Sequence, residues 1–200
     1  MQKDRTRAIL LFVVVIAFTV LILGGMGIAK HKPPIPGKTV DPDGAVLFTH
    51  DDIMTGQKYY LARGGQHVGS IYGHGAYLAP DWTADALHRT ALVTAGLAAG
   101  FTPDDARRMT QEEFEALEVG ERGRIEALVA ADLHTNRYDE ATDTLTLSAG
   151  QAAAFPVLVE YYTTLFTEGN DAMSIRPGMV DTPENGRVMT AFFFWTAWTA

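Results

Sequence analysis

Residues 73–89 read GHGAYLAPDWTADALHR. Gly73 and Gly75 permit tight backbone turns. Pro80 and Asp81 then stand before an apolar-periodic run, with Asp81 in the position of an N-cap and Asp85 as an acid in the first turn. Trp82, Leu87, Leu92 and Leu97 carry that run among small residues to Gly100, which supplies a stop. The stretch predicts a turning loop that feeds a long helix, and it sets the domain as mainly α. It also concentrates two histidines, two aspartates, two aromatics and an arginine in seventeen positions. A metal reading takes His74 and His88 with Asp81 and Asp85 as ligands, since imidazole and carboxylate serve where cysteine is absent. The spacing opposes it: zinc-type H-E-x-x-H sets its histidines four apart on one helix face, whereas these are fourteen apart with a loop between. Asp85 and His88 share a face, which an ordinary surface ion pair explains equally. A nucleophile has less support, because Ser70 near His74 sits in no G-x-S-x-G turn. The glycines at 64, 65, 69, 73 and 75 lack the G-x-x-x-x-G-K-[ST] order of a phosphate cradle. The structural reading fits better. In it Gly73, His74, Gly75, Tyr77, Pro80, Asp81, Trp82, Asp85, His88 and Arg89 make a folded corner or a contact with a partner subunit. Trp82 buries area there and seeks a partner for its N–H.

Working outward, helix signals recur downstream. Thr102-Pro103-Asp104-Asp105 starts a helix with a cap, a proline at the first position and acids in the first turn. Thr110 with Glu113 forms a capping box, followed by Phe114, Leu117, Ile125, Leu128, Val129 and Leu133 near helical spacing, interrupted by Gly120 and Gly123. Ser148 with Gln151 forms another box. Behind it Phe155, Leu158, Val159, Tyr162, Leu165 and Phe166 mark one stripe, which Pro156 either kinks or starts late. TLTLS at 144–148 reads as a short strand or an extended link. Upstream, AVLFT at 45–49 is a short apolar stretch, Asp51 or Asp52 caps a brief helix, and Gly64-Gly65 forces a turn; no strand is assigned there.

The ends carry the remaining information. Ala8 to Ile28 is an uncharged apolar run of twenty-one residues. At about 1.5 Å per residue it spans the ~30 Å hydrocarbon core, so it reads as a transmembrane anchor. A cleaved signal peptide is the competing reading, although its apolar region usually runs only about 7–15 residues. Lysines and arginines flank both sides, so charge does not orient the helix; a short basic head before a long polar segment places residues from about 30 onward outside the cytoplasm. KHKPPIPGKTVDPDG at 30–44 suits an extended linker. Val188 to Ala200 is uncharged and ends AFFFWTAWTA. Two readings stand: a buried C-terminal helix or interfacial aromatic belt, or the start of a second membrane helix with Trp195 and Trp198 near its entry.

The chain of 200 residues has no cysteine, which excludes disulfides and the C-x-x-C-H haem attachment. Its net charge of −8 supplies no basic patch for nucleic acid, and no nucleic-acid-binding motif is present. The expected division is an anchor at 1–29, a Pro-rich linker at 30–44, a domain at 45–185 and the start of a second membrane helix at 186–200.

Taken whole, GSIYGHGAYLAPDWTADALHR resembles the N-terminal segment of quinol-dependent nitric-oxide reductases, single-chain members of the haem–copper oxidase superfamily. VLFTHDDIMTGQKYYLARGGQ at 46–66, NRYDEATDTLTLS at 136–148, the YYTTLF helix and the final AFFFWTAWTA support the likeness in the same order. The resemblance implies one membrane helix, a periplasmic cytochrome c-like domain that has lost its haem, and the opening of a second membrane helix. It implies a bacterial inner membrane, with the lipid bilayer, quinol and a haem-bearing membrane core as partners; that core is the same chain in the family, or a separate chain here. Haem b and non-haem iron are implied for the complete enzyme, which reduces two NO to N₂O and water. The metal-ligand histidines belong to later membrane helices that this chain does not contain, so the resemblance implies no catalytic, cofactor-binding or metal residue here. The alternatives are a self-contained membrane-anchored interaction module and an anchored metalloenzyme using His74 and His88.

Overall fold

A computed structural model of the chain describes residues 2–74 and 80–200; Gly75 and Tyr77 of the expected corner lie outside the described residues. The chain divides into two compact units, Met1–Pro34 and Ile35–Ala200. The first is the helix α1 (Gln2–His31). Within it Arg5–Ile28, whose charges are confined to Arg5 and Arg7, is long and apolar enough to cross a membrane. Its large side chains are exposed on every face, from Ile16 at 46 % to Ile28 at 75 %. A helix that is apolar all round buries its surface in lipid or protein rather than in water.

The second unit opens where a spacer was expected. Lys38–Val40 forms β1, with Thr39 and Val40 buried. It pairs antiparallel with β2 (Val46–Thr49) and parallel with β4 (Thr144–Thr146), which in turn pairs antiparallel with β3 (Tyr138–Asp139), giving the order β2-β1-β4-β3. The prolines keep residues 33–36 out of regular structure, but β-branched Thr39 and Val40 suit a pleated, half-covered surface. The β1–β2 turn is closed by Asp41, whose carboxylate accepts the amides of Asp43 and Ala45 at 3.0 and 2.8 Å. The sheet thus ties residues 38–40 to 144–146 across most of the unit.

Against this small sheet stand α2 (His50–Ala62), α3 (Gly65–Val68), α4 (Trp82–Ala98), α5 (Pro103–Ala106), α6 (Gln111–Glu115), α7 (Val119–Leu133), α8 (Ala149–Glu168) and α9 (Pro183–Trp198). The capping chemistry explains their starts. Thr49 and Asp52 close a reciprocal box on α2, so Thr49 rather than Asp51 or Asp52 is the cap. Thr110 with Glu113 and Ser148 with Gln151 do the same for α6 and α8. Because Ser148 sets the start of α8, Pro156 lies inside the helix rather than opening it. At the end of α4, Gly100 takes φ +83 while its amide bonds to the Leu97 carbonyl and that of Phe101 to the Gly96 carbonyl. This is the Schellman arrangement, in which a left-handed residue costs least as glycine.

Of the two readings of Val188–Ala200, the structure takes the buried helix rather than a lipid-facing membrane segment. Helix α9 packs against α2, α4 and α8, and Met189, Phe192, Phe193, Phe194 and Ala197 belong to the main core. An apolar run with rings on several faces suits the middle of a helical layer, where neighbours cover it all round. Backbone approaches are correspondingly close: a Cβ on Gly56 of α2 would lie 1.9 Å from the Val188 carbonyl oxygen, and one on Gly186 would lie 2.0 Å from Thr163 Oγ1. A satellite core of Ala95, Met109, Ile125 and Val129 joins α4, the α5–α6 link and α7.

Candidate functional site

At the entry to α4, the chain is held by one carboxylate. Asp81 Oδ1 accepts the Ala84 amide at 2.9 Å, as an N-cap does, while Oδ2 accepts the Ser70 hydroxyl and the Gly73 amide, each at 2.6 Å. The backbone closes the same corner, since the Ser70 amide donates to the Pro80 carbonyl at 3.0 Å and the Trp82 amide to the Ser70 carbonyl at 2.9 Å. Burial pushes the Asp81 carboxyl up, but the hydrogen bonds from Ser70, Ala84 and Gly73 outweigh it and hold the group below its ordinary value. The Ser70 hydroxyl is therefore committed to Asp81 and not to His74.

Trp82 follows at once and is fully buried. Its ring meets Tyr162 and Phe166 edge-on at 6.0 and 5.1 Å and stacks on Phe193 at 5.8 Å, joining α4 to α8 and α9. Gly69 leaves the space the indole occupies, because a Cβ there would come 1.8 Å from Nε1. One turn on, Asp85 Oδ2 accepts the Tyr162 hydroxyl at 2.7 Å and Arg89 Nε at 2.9 Å. The Arg89 guanidinium lies 3.4 Å from the centre of the Tyr161 ring, a cation–π contact. Burial alone would lower the Arg89 pKa, but the hydrogen bond and charge of Asp85 carry it above its usual value. Burial and the neighbouring Asp85 charge push Tyr162 well up, so its proton stays in the hydrogen bond.

The corner thus brings together Gly73, Pro80, Asp81, Trp82, Asp85 and Arg89, and recruits Ser70, Tyr161 and Tyr162, which sequence reasoning did not assign to it. Tyr162 carried one usable signal: a tyrosine in an apolar helical stripe needs a partner for its hydroxyl once buried. His74 and His88 are both exposed, and Asp85 is taken by Arg89 and Tyr162 rather than by His88. Among the described residues no three His, Asp or Glu side chains gather around one metal-sized centre. Asp81 accepts through both carboxylate oxygens and Asp85 through Oδ2, contacts that tie α4 to the loop before it and to α8.

A second clasp joins α2 to the turn before α9. Tyr59 Oη lies 2.9 Å from both the Met179 carbonyl and Asp181 Oδ1, Asn185 donates to the same carboxylate at 2.7 Å, and Arg63 pairs with its other oxygen. These donors hold Asp181 at about 2, with the Asn185 and Tyr59 bonds foremost. Arg187 bridges Asp52 and Glu184 at 2.6 and 2.7 Å.

A mostly helical unit with an aromatic core, in a chain whose N-terminal helix is long and apolar enough to cross a membrane, defines the class of a membrane-associated protein. Residues 36–200 match the family model of the cytochrome c-like domain of the nitric oxide reductase NorB, and the chain belongs to that family. A search of the curated proteins finds no match. The family description raises haem, and the residues do not fit a covalently held one. With no cysteine in the chain there is no thiol to form a thioether. The middle of the domain is filled by Tyr60, Trp82, Tyr162, Phe166 and Phe193, with ring centres of neighbouring pairs 5.1–5.8 Å apart.

Proposed function

We propose that this chain is the N-terminal segment of a quinol-dependent nitric-oxide reductase of the haem–copper oxidase superfamily, and that its folded domain is structural. The observation that carries the reading is the family match over residues 36–200 on a domain with no cysteine. Helix α1 anchors the chain in the bacterial inner membrane, residues 30–37 lead out of it, and the domain lies on the periplasmic side, capping a haem-bearing core. That core, on the same or a separate chain, takes electrons from quinol and converts two NO, two electrons and two protons to N₂O and water. Haem b and non-haem iron supply the redox chemistry there. The residues of this chain limit solvent at the core's periplasmic face, held rigid for that purpose by the Asp81–Ser70 and Asp85–Tyr162 hydrogen bonds.

The experiment is the intact mass of the native product extracted from membranes, with a reduced-minus-oxidised haem spectrum of whatever co-purifies. A longer chain bearing haem, or this chain bound to a haem-bearing partner with NO-consuming activity, supports the reading. A lone product with no haem-bearing companion overturns it in favour of the stand-alone anchored module.

A further inference from the structure

A cleft of this net-negative chain is lined by several basic residues. It lies between α4, the α5–α6 link and α8, has a volume of about 390 Å³, and includes His88, Arg89, Arg107, Arg108, Gln111 and Tyr161 among its lining, with no acidic residue in it. Close helix packing creates this cluster. Gly96 lets α5 approach α4 so closely that a Cβ there would meet the Ala106 Cα at 2.7 Å. The next two residues, Arg107 and Arg108, are thereby set beside the exposed face of α4. Arg89 is fixed in place by Asp85 and Tyr161. Arg107 has only a long contact of 3.4 Å to the largely exposed Asp104, and Arg108 has no ion pair among the described residues. Such exposed pairing is worth little and is readily exchanged for a better acceptor.

A second groove of about 240 Å³ adjoins the first and shares His88, Leu92 and Gln111 with it. It is walled mainly by Ala91, Leu92, Ala95, Phe114 and Val129, and its only acid is Glu126. Cationic and apolar surfaces thus run on from one another. We propose that the pair of clefts binds a single-chain amphiphilic anion, with its phosphate or carboxylate head on Arg107 and Arg108 and its short apolar tail along Leu92, Phe114 and Val129. Guanidinium forks suit the oxyanion, and the apolar groove is too small for the two acyl chains of a bilayer phospholipid, so the ligand is a soluble amphiphile.

The test is calorimetric titration of the full chain in neutral phosphatidylcholine nanodiscs, with empty nanodiscs as the blank and hexyl phosphate, inorganic phosphate and hexanol as probes. Saturable binding of hexyl phosphate, at least about tenfold tighter than either other probe, is expected. The double variant Arg107→Gln/Arg108→Gln, whose side chains are exposed, should weaken it at least about tenfold with an unchanged melting temperature. Absence of saturable binding, or equal binding by the double variant, overturns the site. Inorganic phosphate binding as tightly as hexyl phosphate removes the apolar half, and hexanol binding as tightly removes the anionic half; either result rejects an amphiphile as the ligand.

Discussion

Trp82 contacts three other aromatic rings from two helices, so its truncation leaves a hole that no single neighbour fills. Trp82→Ala should cost about 3–5 kcal/mol, as large-to-small changes in a packed core do; urea unfolding of the full chain in neutral detergent checks this. Asp81 and Asp52 show how a carboxylate couples this fold to pH. Each has a folded pKa below the 3.8 of an unperturbed aspartate. Folding therefore favours their ionised forms, and that stabilisation is complete above about pH 4 and is lost as pH falls through the lowered values. The expected outcome is acid destabilisation beginning near 3.8 and extending towards 2, where Asp181 also protonates. Asp81→Asn, which leaves a side-chain oxygen to cap α4, should flatten the slope of stability against pH in this window. An unchanged slope would remove Asp81 from the account. The N-cap role of Asp81 was legible from its place before Trp82. The bonds from Ser70 and Gly73 were not, because they depend on where a loop eight to eleven residues away returns.

Among the elements, α2 and α9 approach closely, and Gly56 permits it. Gly56→Ala would press a methyl group onto the Val188 backbone, which cannot rotate away. A loss of about 1–3 kcal/mol or more is expected, the range of overpacked cores. Gly123 offers the opposite case. It lies exposed inside α7, and a Cβ there meets nothing within 4 Å. Gly123→Ala should stabilise by about 0.4–1 kcal/mol through the unfolded chain. Thermal melts of the two variants side by side give the comparison, and equal shifts would contradict the packing described. Capping signals located α4, α6 and α8 from sequence because they are local. The short strands were harder to read: β1 is only three residues long and follows three prolines, and its partner in β4 is more than a hundred residues away.

At the scale of the whole molecule, the two ends of the chain behave differently. Removing residues 1–34 takes away a separate compact unit, so the remaining chain should keep its helical circular dichroism and a cooperative melt. Removing 188–200 takes the centre out of the main core, and the remainder should lose that melt altogether. A cooperatively folded domain after the second deletion would show that Val188–Ala200 is no part of the core. Length and hydropathy mark Ala8–Ile28 as able to span a membrane but leave the shorter uncharged run Val188–Ala200 open between two readings. Their surroundings separate them: α1 leaves its large side chains exposed on every face, whereas α9 is enclosed by α2, α4 and α8.

By itself the sequence determined the mainly α character, the apolar N-terminal helix, the capping residues of α4, α5, α6 and α8 and the lack of any thiol for covalent haem. Each is a local or compositional property. Only the tertiary structure decided that AFFFWTAWTA is core, that 38–40 is a strand, that Tyr162 and Arg89 share Asp85, and that Arg107 and Arg108 face a cleft without an acid. Each of those depends on contacts between residues distant in the chain. Hydrophobicity states that a side chain leaves water; which surface receives it is settled only when the other elements are in place.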